Sequence, residues 1–343
     1  MDIINIVFFS DTHLGFDYPL RPRVKKRRRG EDFFNNFEKV LAYARTHNCD
    51  MVIHGGDLFF RSKVPQMIVD RTYQILMHFA NSGIPIFILP GNHERSRLPT
   101  SLFLNHPQIF VFNCPRIFIQ SLNSIKIGIA GLPFIRNKVD QAFSAAIREI
   151  GWDHYRMDIK LLALHQAIEG ATVGPEKFTF RKGEDTISLS TLPDDALAIL
   201  CGHIHRQQIL TKNKRNQTIP TPVIFSGSTE RTSFAEKDEN KGFYHLIFQK
   251  IEERWKLAEA RFIRLPTRPM EDIYIDPDIP ANLFRVILKE KIDRLDPNSI
   301  IRFRSGKILN ENLNRLMTTK SLSQIIPESM NFTFSRHLYK QDI

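Results

Sequence analysis

Five polar clusters each stand just after an apolar run: Asp11-x-His13, Gly56-Asp57, Asn92-His93, His165 and His203-x-His205. Carboxylates, an amide oxygen and several imidazoles are hard-to-borderline donors that suit manganese, iron or zinc. The absence of thiolates among them argues against a structural zinc site. Residues on alternate positions, as in Asp11-x-His13 and His203-x-His205, point the same way when extended and can serve one cluster. Each piece alone is an ordinary polar cap or turn; the series of five describes a ligand set for two divalent metals. His93 can carry a proton near neutral pH. Glu94, next to it, reads either as a hydrogen-bonding partner that orients His93 or as an exposed acid at a helix start.

Positioning these clusters requires strands that end at one edge of a sheet. Residues 3–9, 51–53 and 84–88 are short apolar runs that read as strands. Helices are expected between them, over 31–47 and 66–81. The first has Phe33, Phe34, Phe37, Val40, Leu41 and Ala44 on one face at three-to-four spacing; the second opens after Pro65. Strand–helix–strand alternation implies parallel pairing with crossover helices, whose strand ends build sites at one edge. From 109 on the pattern changes: 109–112, 117–121 and 125–130 read as a meander, followed by a helix near 139–150. Strands at 160–164 and 198–201 end at His165 and at Gly202-His203-Ile204-His205. Further strands are expected at 208–211, 222–225, 243–248 and 255–262. The fold class is α/β, with two facing mixed sheets flanked by helices.

Leu265-Pro266-Thr267-Arg268-Pro269 marks a boundary, dividing a domain over 1–265 from a small α+β domain over 266–343. In the latter, 272–275 and 300–303 read as strands, and 283–295 and 310–326 as largely helical. The chain has 343 residues, 42% hydrophobic, and a formal net charge of +11, which favours nucleic acid over a membrane as partner. The first apolar run is too short to span a bilayer and lacks a basic flank. Cys49, Cys114 and Cys201 form no metal-binding spacing; Cys49 and Cys201 lie in or beside apolar runs. They read as reduced thiols, and the expected location is cytoplasmic. Seven of the nine residues from 21 to 29 are basic: Arg21, Arg23, Lys25, Lys26, Arg27, Arg28 and Arg29. This run reads as a contact for the phosphates of DNA, by backbone and without sequence specificity, or as a solvated loop. Arg231 reads as a further phosphate contact or as a structural ion-pair partner.

The clusters Asp11-x-His13, Gly56-Asp57, Gly91-Asn92-His93-Glu94, His165 and Gly202-His203-x-His205 resemble the calcineurin-like metallophosphoesterase superfamily. Ser10-Asp11-Thr12-His13-Leu14-Gly15, Gly56-Asp57-Leu58-Phe59 and Gly227-Ser228-Thr229-Glu230-Arg231 are similar to its SbcD/Mre-type branch of DNA repair nucleases. The resemblance covers about residues 3–270. It implies a four-layer metallophosphoesterase sandwich with a small C-terminal cap. It also implies one metal on Asp11, His13, Asp57 and His205 and a second on Asp57, Asn92, His165 and His203, with Asp57 bridging and manganese the expected ion. Two cations sharing a carboxylate make a hydroxide nucleophile available at neutral pH; His93 is then the general acid, and Asn92 helps offset charge on the phosphate.

Phe60 stands where many members of the branch carry a histidine that bears on exonuclease action, so nuclease action is implied more firmly than exonuclease or endonuclease character. His54 reads as a residue behind the metal ligands or as a strand-terminal histidine satisfied by backbone. The implied partners are DNA, an SMC-type ATPase (SbcC/Rad-like) and a second copy of the chain as a homodimer; no membrane is expected, and no clear ATPase-binding segment follows the cap. Two other functions stay open: hydrolysis of small phosphoesters such as nucleotides, and a non-catalytic DNA-binding scaffold.

Overall fold

A computed structural model describes residues 2–17 and 27–335. Contacts divide the chain into two compact units, one of Met1–Phe16, Gly30–Thr232 and Asp238–Pro266, the other of Asp17–Arg29, Ser233–Lys237 and Thr267–Ile343.

The larger unit begins as the apolar periodicity dictates, with β1 (Ile3–Phe9), α1 (Gly30–Thr46), β2 (Met51–His54), α2 (Gln66–Ala80), β3 (Ile86–Ile88) and β4 (Ile109–Val111). It continues through β5 (Arg116–Leu122), β6 (Ile125–Leu132), α3 (Val139–Glu149), β7 (Ile159–His165), β8 (Thr172–Val173), β9 (Phe178–Thr179) and β10 (Ala198–Gly202). β11 (Gln208–Lys212), β12 (Thr218–Phe225), β13 (Gly242–Ile251) and β14 (Arg254–Arg264) complete it. Two six-stranded mixed sheets result, in the orders β14-β13-β1-β2-β3-β4 and β11-β12-β10-β7-β6-β5. β1 to β4 are parallel in one, and β6, β7, β10 and β12 are parallel in the other. The expected pair of mixed sheets with flanking helices is what forms.

Period-two alternation places the layers. Ile4, Ile6 and Phe8 of β1 face Ile129 of β6, Leu161 and Ala163 of β7, Leu200 of β10 and Ile224 of β12 in one buried cluster. The alternate residues of the second sheet, among them Leu162, Leu164, Ile199, Cys201 and Phe225, pack with Val139 and Phe143 of α3. Such two-sided burial is why these strands read as continuous apolar runs. α1 buries the face expected of it, Phe33, Phe34, Phe37, Val40, Leu41 and Ala44. All three cysteines are free, with Cys49 and Cys201 buried. Among the described residues no helix is long and apolar enough to cross a membrane.

The expected meander over 109–130 does not form. β4 pairs parallel with β3, Ile86 opposite Ile109, whereas β5 and β6 form an antiparallel hairpin in the other sheet. Pro115, just before β5, has no N–H with which to extend a ladder, and the chain changes sheets there.

In the smaller unit, β15 (Met270–Tyr274), α4 (Ala281–Asp293), β16 (Ile300–Arg304), α5 (Glu311–Leu316), α6 (Thr319–Leu322) and β17 (Asn331–Phe334) build a three-stranded parallel sheet with helices. β17 is not among the strands expected from sequence, although its Phe332 and Phe334 lie against Phe303. The Arg27 N–H donates to the Glu328 carbonyl at 2.7 Å, and Asn331 donates to the Arg27 carbonyl at 2.9 Å. Those bonds make residue 27 part of this unit.

Phe8, fully buried between the sheets, gives a direct check on the layering. Phe8→Ala is expected to cost about 3–5 kcal/mol in denaturant unfolding; a loss below about 1 kcal/mol would be that of an exposed side chain.

Candidate metal centre

The donor-bearing loops follow the C-terminal ends of parallel strands in both sheets. Asp11 and His13 follow β1, Asp57 follows β2, Asn92 and His93 follow β3, His165 ends β7, and His203 and His205 follow β10. Donor atoms of Asp11, His13 and His205 lie within 4.8 Å of one another, as do those of His13, Asp57 and His93 and those of Asp11, Asp57 and His165. His165 Nε2 and His203 Nδ1 are each 3.0 Å from Asn92 Oδ1. All the expected ligands therefore converge. Asp11, His13, Asp57 and His165 are buried; Asn92, His93, His203 and His205 are half-buried and line the open side.

The route to this convergence differs from the alternation argument. Asp11, His13, Asp57 and His203 are not extended: their φ angles are 53°, 46°, 54° and 78°. Left-handed backbone in such residues costs about 1–3 kcal/mol each and persists where surroundings over-determine it. Here the Asp11 N–H donates to Gly56 O at 2.9 Å, the His13 N–H to Asp57 O at 3.1 Å and the Leu14 N–H to Leu58 O at 2.9 Å. Gly91 is required for a steric reason, since a Cβ there would stand 2.1 Å from Asp57 Oδ1.

The donor spacing fits first-row divalent cations. Bonds of about 2.1 Å meeting near a right angle put neighbouring ligand atoms roughly 3 Å apart. The spacings are 2.9 Å for His13 Nε2 to His205 Nε2, 3.0 Å for both Asn92 pairs and 3.3 Å for His165 Nε2 to Asp57 Oδ2. His13 Nδ1 is buried with no hydrogen-bond partner among the described residues. Electrostatics favour free donors at His13, His203 and Asp57 and work against them at His165 and Asp11. Burial pushes His13 well below the ordinary range, reinforced by His205, and pushes His203 down to about 3, so both keep lone pairs. Burial would raise Asp57, but His165 and its other imidazole neighbours outweigh it and hold the carboxylate well below its usual range. Burial opposes charge on His165 too, yet Asp57 lifts it to about 9. Burial raises Asp11, with His165 and His205 opposing.

His93 is held differently from the sequence expectation. Its N–H donates to Asp57 Oδ1 at 2.9 Å, its Nδ1 faces the Phe60 carbonyl at 2.5 Å, and its Nε2 is 3.8 Å from Asp57 Oδ2. The backbone of Phe60, not the Glu94 carboxylate, orients the ring. Glu94 is neither that partner nor an exposed acid. It is buried, and it accepts the Phe59 N–H at 2.5 Å and the Gly91 N–H at 2.8 Å. It thereby ties the loop after Asp57 to the loop before Asn92, while burial and the Asp57 charge raise its carboxyl to about 8.

Three of the expected DNA contacts, Arg27, Arg28 and Arg231, have partners within the chain. Arg231 donates to the Glu239 carbonyl at 3.1 and 3.3 Å. Arg28 pairs with Asp17 through two bonds, and Arg27 donates to Asn298 Oδ1 at 3.0 Å. Arg29 is half-buried. Arg21, Arg23, Lys25 and Lys26 lie outside the described residues. Sequence reasoning missed several supports. Ser10 Oγ bonds the Asp11 carboxylate, the Gly55 carbonyl faces His165 Nδ1 at 2.8 Å, and buried Lys241 donates to the His205 carbonyl at 2.9 Å. Two of these act through backbone carbonyls, which no motif marks.

Glu94→Ala leaves two buried N–H groups without an acceptor. Unfolding free energy is expected to fall by about 1–3 kcal/mol for each, measured by denaturant titration; stability equal to the parent's would remove the clamp.

A family model described as calcineurin-like phosphoesterase matches residues 4–207. The chain is 25% identical over 254 residues to "DNA double-strand break repair protein Mre11" of Methanococcus maripaludis, covering 70% of this chain and 62% of that one. It is 23% identical to the protein of that name in Archaeoglobus fulgidus, over 85% of this chain and 66% of that one. It is 24% identical to that of Saccharolobus solfataricus, over 86% and 72%. The chain thus spans slightly under two thirds of the first two relatives. The likeness to the SbcD/Mre-type branch read from the motifs agrees with these relatives. By the match over 4–207 and the residues it brings together, the chain belongs to the calcineurin-like phosphoesterase family.

Proposed function

We infer that the chain is a dinuclear-metal phosphodiesterase that cleaves DNA in double-strand-break repair. The observation that carries the reading is the convergence of Asp11, His13, Asp57, Asn92, His165, His203 and His205 at one edge. Sequence relatives whose names specify double-strand-break repair support DNA as the substrate.

Asp11, His13, Asp57 and His205 would hold one cation; Asp57, Asn92, His165 and His203 would hold the other. Manganese suits this nitrogen-and-oxygen set, as do iron and zinc. Bound there, the ions would supply Lewis acidity and make water acidic enough to attack phosphorus near neutral pH. Asp57 contributes a carboxylate that stays ionised. His93 presents Nε2 on the half-buried side, with Nδ1 committed to the Phe60 carbonyl, and protonates the leaving oxygen. Asn92 turns its amide oxygen to His165 and His203, so its role is to complete the ligand set. Residues 266–343 would be the cap domain of the branch, and the basic run a phosphate contact. An SMC-type ATPase and a second copy of this chain would be its partners, as the motif resemblance implies.

With manganese and linear DNA, His93→Gln is expected to lower cleavage by about 100- to 10,000-fold while metal still binds, and Asp57→Asn to abolish it. Hydrolysis confined to small phosphodiesters, with no DNA bound at low salt, would overturn the DNA assignment. Neutralising Arg21, Arg23, Lys25 and Lys26 together should flatten the salt dependence of DNA binding, by about 0.9 in log–log slope per lost phosphate contact; an unchanged slope would make the run a solvated loop.

A further inference from the structure

β2 reads Met51-Val52-Ile53-His54, and all four residues are buried. A fourth apolar residue would satisfy that environment. An imidazole there must find partners for two polar nitrogens or lose stability. His54 is 1% exposed and finds both. Its Nδ1 accepts the Gly56 N–H at 3.3 Å. Its Nε2 therefore carries the ring proton, which it donates to Thr12 Oγ1 at 3.1 Å. The Thr12 hydroxyl in turn donates to the Leu58 carbonyl at 3.0 Å. The Phe9 and His54 rings are nearly perpendicular, with centroids 4.9 Å apart.

The partners matter more than the burial. Thr12 lies between Asp11 and His13, and Gly56 and Leu58 flank Asp57; all three donor residues are left-handed. The two loops already exchange main-chain bonds. Thr12 and His54 add a side-chain tie at the strained centre of both.

We propose that His54 is a positioning residue that acts through Thr12, locking the loop of Asp11 and His13 against the loop of Asp57. This rests on the reading of those three residues as metal ligands. No proton is transferred and no substrate is touched; the tie holds donors at cation-binding spacing. Outer partners of this kind typically alter metal affinity by about 10- to 100-fold when removed.

The test is manganese binding by calorimetry, with melting of the metal-free proteins in parallel. Gln places an amide nitrogen where Nε2 donates, whereas Asn reaches only the Nδ1 position. His54→Asn and Thr12→Val are each expected to weaken manganese binding by about 10-fold or more, and His54→Gln and Thr12→Ser to stay within about threefold of the parent. Combining His54→Asn with Thr12→Val should weaken binding no further than the weaker single variant, because both break the same path from His54 through Thr12 to Leu58. Unchanged affinities with only a lower melting temperature would make His54 a packing residue and overturn the proposal; so would multiplicative losses in the double variant. If a His54 variant does not fold, the Thr12→Val and Thr12→Ser pair decides alone. Absence of manganese binding in the parent would instead overturn the ligand reading on which the proposal rests.

Discussion

The Asp57 carboxylate is the interaction on which the site depends. It is buried, with 2% exposure, and stays ionised because imidazoles surround it. One oxygen accepts the His93 N–H and the other faces His165 at 3.3 Å. The absence of a side chain at Gly91 makes room for it. A charge so placed would be costly alone. It becomes tolerable because imidazoles and backbone N–H groups borne by both sheets converge on it, and that convergence is the architecture's main consequence.

Parallel strands supply the convergence but not the final aim of each donor. Extended backbone would send Asp11 and His13 along a strand; left-handed turns instead bring them close to the Asp57 carboxylate. Such turns store strain at a functional centre. The structure spreads the restraint over many small contacts: main-chain bonds between the loops, Glu94 on two backbone N–H groups, Lys241 on the His205 carbonyl, Ser10 on Asp11. The rigid sheets behind, packed through Phe8 and Leu200, give these contacts a fixed base.

Much of this was legible in the sequence, for identifiable reasons. Strands buried on both faces leave continuous apolar runs, and polar donors at their ends stand out. Hence β1, β2, β3, β7 and β10 and the donor residues after them were readable. The partition of β4 and β5 between sheets was not, because local pattern says nothing about which distant strand an edge will pair with. Glu94 beside His93 invited a partnership, yet sequence adjacency does not carry a side chain to its neighbour; its carboxylate turns to Phe59 and Gly91. Phe60 showed the converse. Its side chain is the wrong kind to assist an imidazole, but its carbonyl orients His93, and carbonyls are invisible to motif reading. Charge alone likewise could not tell that Arg28 would be answered by Asp17 or that Arg231 would turn to a backbone oxygen.

The central claim is that one carboxylate joins two cations. Electron paramagnetic resonance of the manganese-loaded chain tests it most directly. A bridging Asp57 predicts two manganese ions per chain with an exchange-coupled spectrum that collapses in Asp57→Asn. A single isolated ion, or two uncoupled ions indifferent to that substitution, would contradict the account.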